Sequence, residues 1–293
     1  MSTSLRSTAR SPVRPTASDS NLDAEWRAFA RAINRLIKVD LSDYKPAQMR
    51  RRLQHLMERY ATRDFVAYAK LLERDRDALA EFKNFFTINV SEFYRDRAKF
   101  EYLHHNVLPQ LVEQNSRLTI WSAGCSYGAE PYTLAMLLHE LAPKQFHRIV
   151  ASDIDAQILA RARSGADYTP QDLRNLPPDL REEYFQPSTS TATVASETYQ
   201  IVPAVRRYLQ FRQHDLLHDR YPQQNDLILC RNVVIYFTDE AKERIYRGFY
   251  DALRPGGILF IGATELLPRA TDQGWRLLAN SFYQRPPAEA GIR

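Results

Sequence analysis

The sequence predicts an α/β protein: a parallel sheet with helices wound on it and a small antiparallel excursion, preceded by an all-helical amino-terminal domain. Three observations predict it. The stretch from Arg117 to Leu137, RLTIWSAGCSYGAEPYTLAML, reads as an apolar strand (Leu118, Thr119, Ile120, Trp121), a tight turn bracketed by Gly124 and Gly128, and a helix with Pro131 in its first turn. His147 to Asp153 is a second apolar strand that ends in an acid and is followed by a helix, so the order strand, helix, strand, helix is set. Ahead of this pattern, from Leu22 to about Leu111, apolar residues recur at three- and four-residue spacing instead.

With 293 residues, 44% of them hydrophobic, the chain can bury a sizeable core and form one large or two ordinary domains. It has no apolar run long enough to span a bilayer and no apolar secretory leader at its amino terminus, so a cytoplasmic protein without direct membrane insertion is expected. Its two cysteines, Cys125 and Cys230, make neither a disulfide framework nor a metal-ligand cluster, and no metal site is expected. The net charge of +5 fits an acidic protein partner as well as nucleic acid.

Taken in order, residues 1–20 are rich in Ser, Thr, Arg and Pro and read as a flexible tail. A helical domain is expected over 21–95. Trp26, Phe29, Ile33, Leu36 and Ile37 form one apolar stripe; Leu53, Leu56, Met57 and Tyr60 form a second after Pro46; further helices are expected at Phe65 to Leu72, Leu79 to Phe86 and Phe93 to Val112. The second helix sets Arg50, Arg51, Arg52, His55 and Arg59 beside its stripe, a cationic face that is either simply solvated or a dock for a carboxylate-rich helix. The sheet domain is expected over 96–293. After the first two strands come a third at Tyr208 to His214, a fourth at Asp226 to Asn232, a helix from Glu240 to Leu253, a fifth strand from Ile258 to Thr264 beyond Pro255-Gly256-Gly257, and one or two closing strands in Trp275 to Arg285. The Thr-, Ser- and Val-rich segment at about 186–207 reads as the antiparallel excursion.

In such folds ligands bind at the carboxyl edge of the parallel strands. The glycine spacing is G-x-x-x-G, not the dinucleotide G-x-G-x-x-G, which argues against a nicotinamide-dependent oxidoreductase. Asp153, at the tip of the second strand, is the candidate to accept hydrogen bonds from a ribose, and Asp155 is better placed to cap the helix that follows. Cys125 and Cys230 end the first and fourth strands, which are neighbours in this order, so both thiols are either inert and buried or face the cleft.

The segments NFFTINVSEFYRD, WSAGCSYGAEPYTLAM, ASDIDAQILARARSG, LILCRNVVIYF and LRPGGILFIGATE together strongly resemble the CheR family, the chemotaxis receptor glutamate methyltransferases, over about residues 25–285. The resemblance implies a Rossmann-like S-adenosylmethionine-dependent methyltransferase domain with a small antiparallel β subdomain, preceded by an all-helical domain. It implies transfer of the methyl group to glutamate carboxylates of chemoreceptors, with S-adenosylhomocysteine as product and the receptor's cytoplasmic domain as partner; no nucleic acid partner is implied, and a monomer is expected. A non-enzymatic S-adenosylmethionine-binding scaffold in a signalling array is the alternative.

Carried over residue by residue, Asn89, Ser91 and Arg95 fall on the family's N-x-T-x-x-x-R cofactor positions, Glu130 on the acid before proline and Asp153 on the ribose acid; Gly124 belongs to the loop. Asp215 and Leu216 match the pair after the third strand, and Cys230, Arg231 and Asn232 match the end of the fourth. Arg95 and Tyr236 are the implied catalytic residues, each with a structural alternative as a domain-linking salt bridge and a core aromatic. Receptor docking is expected on Arg50, Arg51, Arg52 and Arg59. Tyr127 and Ala129 depart from the usual S-T-G-E-E-P, Ser91 stands for a common Thr and Asp215 for a common Asn. The excursion lacks the glycine-rich turn of members that tether to a receptor tail and contains Pro203, so no tight tether is expected.

Overall fold

A computed structural model describes residues 17–87, 91–188 and 197–288. It separates into two compact units, one ending at Phe82 and one beginning at Lys83, and each is described by itself.

The first unit is helical. Helix α1 (Ala17–Ile37) starts inside the stretch read as a tail, and residues 1–16 of that stretch lie outside the described residues. Helix α2 (Pro46–Arg59) has proline in its first turn, where the missing amide is no loss, and α3 (Phe65–Arg74) is capped by Asp64, which accepts from the Ala67 amide at 2.7 Å. Helix α4 is Arg76–Phe86. The expected stripes become the core: Phe29 is 0% exposed and its ring meets those of Trp26, Phe65, Tyr68 and Phe82 at 5.5 to 6.0 Å.

The second unit opens on a pinned turn. Where one helix was expected over Phe93 to Val112, Tyr94 and Asp96 take left-handed φ values of 57° and 61°, and the helix α5 (Arg97–Tyr102) starts only after them. Tertiary bonds explain the change: the Tyr94 amide donates to Thr133 Oγ1 at 3.2 Å, and Arg231 donates to the Arg95 carbonyl at 2.9 Å. The turn at 91–95 therefore packs with the sheet. A π-helical turn, Leu103–Val107, then leads into α6 (Leu108–Gln114). Pro109 is its cause, because a residue without an amide cannot continue the regular hydrogen-bond ladder.

The remaining elements are β1 (Thr119–Ala123), α7 (Ala129–Leu141), β2 (Arg148–Asp153), α8 (Ala156–Ser164), α9 (Pro178–Tyr184), β3 (Phe185–Pro187), β4 (Tyr199–Ile201), α10 (Pro203–Arg206), β5 (Leu209–Gln213), β6 (Asn225–Cys230), α11 (Asp239–Ala252), β7 (Leu253–Ile261), β8 (Arg276–Ala279) and β9 (Phe282–Gln284). Among the described residues the main sheet has the order β5-β2-β1-β6-β7-β9-β8, parallel through β7 and antiparallel beyond it. The first and fourth predicted strands are indeed neighbours, with Trp121 opposite Ile228. Strand β7 begins before the Pro-Gly-Gly that was expected to precede it. The backbone of that stretch joins the ladder, with the Gly256 amide donating to the Arg285 carbonyl at 2.8 Å and the Arg285 amide to Gly257 at 2.9 Å. The excursion is the antiparallel pair β3–β4, but Pro203 opens a short helix instead of entering a strand. Residues 189–196 of the excursion lie outside the described residues.

The aromatic cluster of the helical unit is the feature most exposed to test. Phe29→Ala should cost about 3–5 kcal/mol in equilibrium urea unfolding, the range for emptying a buried aromatic site. A loss under about 1 kcal/mol would mean that this cluster does not hold the unit together.

Candidate active site

The carboxyl edge of the sheet is built from the loops that follow its parallel strands. After β1, the Gly124 and Cys125 amides both donate to the Ser152 carbonyl, at 2.8 and 2.9 Å, so the loop folds back over the end of β2. Gly124 has φ +78°, and a Cβ there would lie 2.4 Å from Val233 Cγ2; only glycine fits. The turn aims the Ser126 amide at Asp153 Oδ2, 2.8 Å away, while Asp153 Oδ1 accepts from the Asp155 amide at 3.1 Å. Asp155 itself caps α8 through the Gln157 and Ile158 amides, as its position predicted, and accepts from Thr87 Oγ1 at 3.0 Å. Burial, opposed by those backbone hydrogen bonds, pushes the Asp153 carboxyl up to about 6.

Arg231, one residue past β6, is the hub of the second cluster. Its side chain is 3% exposed, stacks over Phe260 at 4.6 Å and Phe100 at 5.0 Å, and bonds Asp96 at 2.6 Å and the Arg95 carbonyl at 2.9 Å. Its other terminal nitrogen lies 3.5 Å from Glu130, whose second oxygen accepts from Ser122 Oγ at 2.8 Å. Burial raises the Glu130 carboxyl, with Arg231 and the more distant Arg95 pulling it back. Beside it, Glu265 Oε2 accepts from the Asn232 amide at 3.1 Å and the Gly262 amide at 2.6 Å, which holds Asn232 at a left-handed φ of 60°. Burial raises the Glu265 carboxyl too.

The sequence-predicted residues fall as follows. Glu130 and the Arg95 carbonyl converge on Arg231, Gly124 and Asp153 form the adjoining cluster, and Ser91 is joined to the glycine loop through its carbonyl, which accepts from Tyr127. Asn89 lies outside the described residues. Asp215 and Leu216 lie just past β5 on the same edge, the His214 amide donating to the Asp153 carbonyl at 2.9 Å; the Asp215 carboxylate accepts from the Leu217 amide and meets His218 at 2.9 Å, and the Leu216 carbonyl accepts from Tyr221. Cys230 closes β6 fully buried and Cys125 is buried as well; burial pushes both thiols well up, the behaviour of inert thiols. Tyr236 is half-buried in the single helical turn Val234–Tyr236. In the helical unit, Arg51 is exposed, whereas Arg50 bonds Asp23 at 2.6 Å and stacks on Trp26, and Arg59 pairs with Glu81. Among the described residues no group of acids, histidines and cysteines could hold a metal ion.

Sequence reasoning missed Asp96, Ser126 and Glu265. Glu265 carried a readable signal, an acid closing the apolar strand segment ILFIGATE, but Asp96 and Ser126 have meaning only through partners distant in sequence.

The Arg231 hub yields an expectation with a definite sign. Arg231→Met leaves buried carboxylates without their cation and should cost about 3–5 kcal/mol at neutral pH. The Glu130 pKa, already raised, rises further without the guanidinium, so protonation relieves the penalty and the variant should lose less relative to wild type as pH falls toward 5. A pH-independent difference in urea unfolding would contradict this account of the cluster.

Residues 24–87 match the model of the CheR methyltransferase all-alpha domain, and residues 89–280 match that of the CheR methyltransferase SAM binding domain. The chain is 39% identical over 264 residues to a chemotaxis protein methyltransferase of Listeria monocytogenes, covering 90% of this chain and 98% of that one. It is 32% identical over 250 residues to the chemotaxis protein methyltransferase of Escherichia coli, covering 83% and 84%. The loops at the parallel strands' carboxyl edge, with a buried acid at the tip of the second strand, thus lie within the S-adenosylmethionine-binding domain of a chain that belongs to the CheR methyltransferase family.

Proposed function

We propose that the protein transfers the methyl group of S-adenosylmethionine to glutamate side-chain carboxylates of chemoreceptors, giving glutamyl methyl esters. The observation that carries the reading is the Asp153 carboxylate. Each of its oxygens accepts one backbone amide, at 2.8 and 3.1 Å, and a carboxylate has about four acceptor directions, so capacity remains for the two hydroxyls of a ribose. Next to it the Ser126 hydroxyl is buried and has no hydrogen-bond partner among the described residues. Together with Glu130 and Glu265 these groups make an acidic, glycine-lined edge suited to a cationic nucleoside.

When bound, S-adenosylmethionine supplies an electrophilic methyl on a sulfonium; the acceptor oxygen forms the new C–O bond in line as the C–S pair returns to sulfur. Glutamate, with a reference pKa of about 4.3, is already ionised at neutral pH, and no general base is required. The protein's work is then positioning and exclusion of water. Arg95 holds the incoming carboxylate by charge-assisted hydrogen bonds, and its backbone is fixed by Arg231. Tyr236 lines the methyl's path. Ser91, Gly124, Asp215, Leu216, Cys230 and Asn232 complete the cofactor's surroundings, with Asn89 from outside the described residues. Receptor helices rich in carboxylate dock on the α2 face that carries Arg50, Arg51, Arg52 and Arg59.

The test of function is transfer of labelled methyl from S-adenosylmethionine to a receptor cytoplasmic fragment as a base-labile ester; a protein that binds cofactor but labels no receptor would be a scaffold. In that assay Arg95→Ala should lower kcat at least tenfold with little change in melting temperature. An early-melting variant with wild-type specific activity would make Arg95 a structural bridge.

A pH dependence follows from Asp153. The ribose needs the ionised carboxylate, which exists above about 6, so the affinity for S-adenosylhomocysteine should be level near pH 8 and fall as pH drops below about 6. Asp153→Asn should weaken binding more than about tenfold and flatten the profile. Calorimetry at several pH values checks both, and an equally tight, equally pH-dependent Asn variant would exclude the assignment.

A further inference from the structure

The glycine loop and the Ser91–Asp96 turn meet at one side chain that neither of the roles above employs, Tyr127. Its hydroxyl donates to the backbone carbonyl of Ser91. The ring is gripped on a second side by the Arg161 guanidinium, 4.4 Å from its centroid, and Arg161 is in turn held 3.3 Å from Asp172. The Tyr127 carbonyl accepts from Tyr168 Oη at 3.2 Å, and the Tyr168 ring packs edge-on against Phe93 at 4.9 Å, in the same turn as Ser91. Burial and the neighbouring Asp172 push the Tyr127 hydroxyl's pKa up, so it keeps its proton at neutral pH.

We infer that Tyr127 is a positioning residue for methyl transfer: by clasping the Ser91 backbone it sets the distance between the loop that holds Asp153 and the turn that carries Arg95. The covalent path is short on both sides. One residue before Tyr127, the Ser126 amide reaches the Asp153 carboxylate at 2.8 Å; four residues after Ser91 comes Arg95, whose carbonyl is bonded to Arg231 at 2.9 Å. The far end of the turn is thus pinned by Arg231 and its near end by Tyr127. A misplacement of even about 1 Å between groups that hold the two reactants is enough to slow a displacement reaction substantially.

This inference rests on the proposed function, through the role given to Arg95, and the experiment separates the two. Tyr127→Phe keeps the ring, and with it the Arg161 and Tyr168 contacts, and removes only the hydroxyl, with its bond to Ser91 and its interaction with Asp172. In the full-length protein kcat for methylation of a receptor cytoplasmic fragment should fall about threefold to tenfold, the range for one net hydrogen bond, with the receptor KM and the melting temperature unchanged. Exchange of the Tyr94 amide should accelerate. Unchanged kcat overturns the inference, as does a lower melting temperature with wild-type kcat, which would make the hydroxyl a packing bond alone. If the wild type methylates no receptor, the proposed function fails; the amide-exchange comparison then decides the clasp, and unchanged exchange at Tyr94 rejects it.

Discussion

The buried guanidinium of Arg231 is the constraint on which the active edge depends. An isolated charge in a site this dry would cost far more than the fold can supply, so its partners are obligatory: Asp96 and the Arg95 carbonyl on one side, Glu130 on the other, two aromatic faces around it. Those partners come from three separate stretches of chain. Satisfying one cation therefore fixes the Ser91–Asp96 turn, the first turn of α7 and the end of β6 relative to one another, and a polar cluster of this kind specifies geometry more than it adds stability.

Around that hub the backbone is bent into conformations that side chains resist. Tyr94, Asp96, Ser126 and Asn232 all have positive φ, and each lies at or beside a group that holds the site together. Such conformations persist when their surroundings over-determine them. Here the Tyr94 amide is held by Thr133, the Ser126 amide by Asp153 and the Asn232 amide by Glu265, so three of the four strained residues are anchored by a side chain that accepts from their own N–H.

What was legible in the sequence was whatever local pattern determines. The strand, turn and helix around Gly124, the acid at the tip of β2, the capping role of Asp155 and the neighbouring places of the first and fourth strands could all be read from periodicity, glycine and proline. What was not legible depends on distant partners. Nothing near Tyr94 announces that a threonine on α7 will take its amide and stop a helix from starting at Phe93; nothing near Pro255 announces that Arg285 will pair with the glycines after it. Pro203 misled for the opposite reason, since a residue excluded from strands is equally at home in a helix's first turn. Among the site residues, Glu265 was visible as a type but not as a role, because its meaning lies in the two amides it holds.

The order of strands in the sheet bears on how the chain is made. On a ribosome the helical unit, whose contacts are local, can assemble as it emerges. The sheet cannot. Strand β1 must wait for β6 on one side, the Thr119 amide bonding Asp226, 107 residues further on, and β7 gains its outer neighbour only when Phe282–Gln284 has been synthesised. For most of translation the central strands are therefore apolar edges without partners, the state in which nascent chains most need chaperones, and premature termination shortly before β9 would release a protein with its helical unit complete and an open sheet edge that invites association.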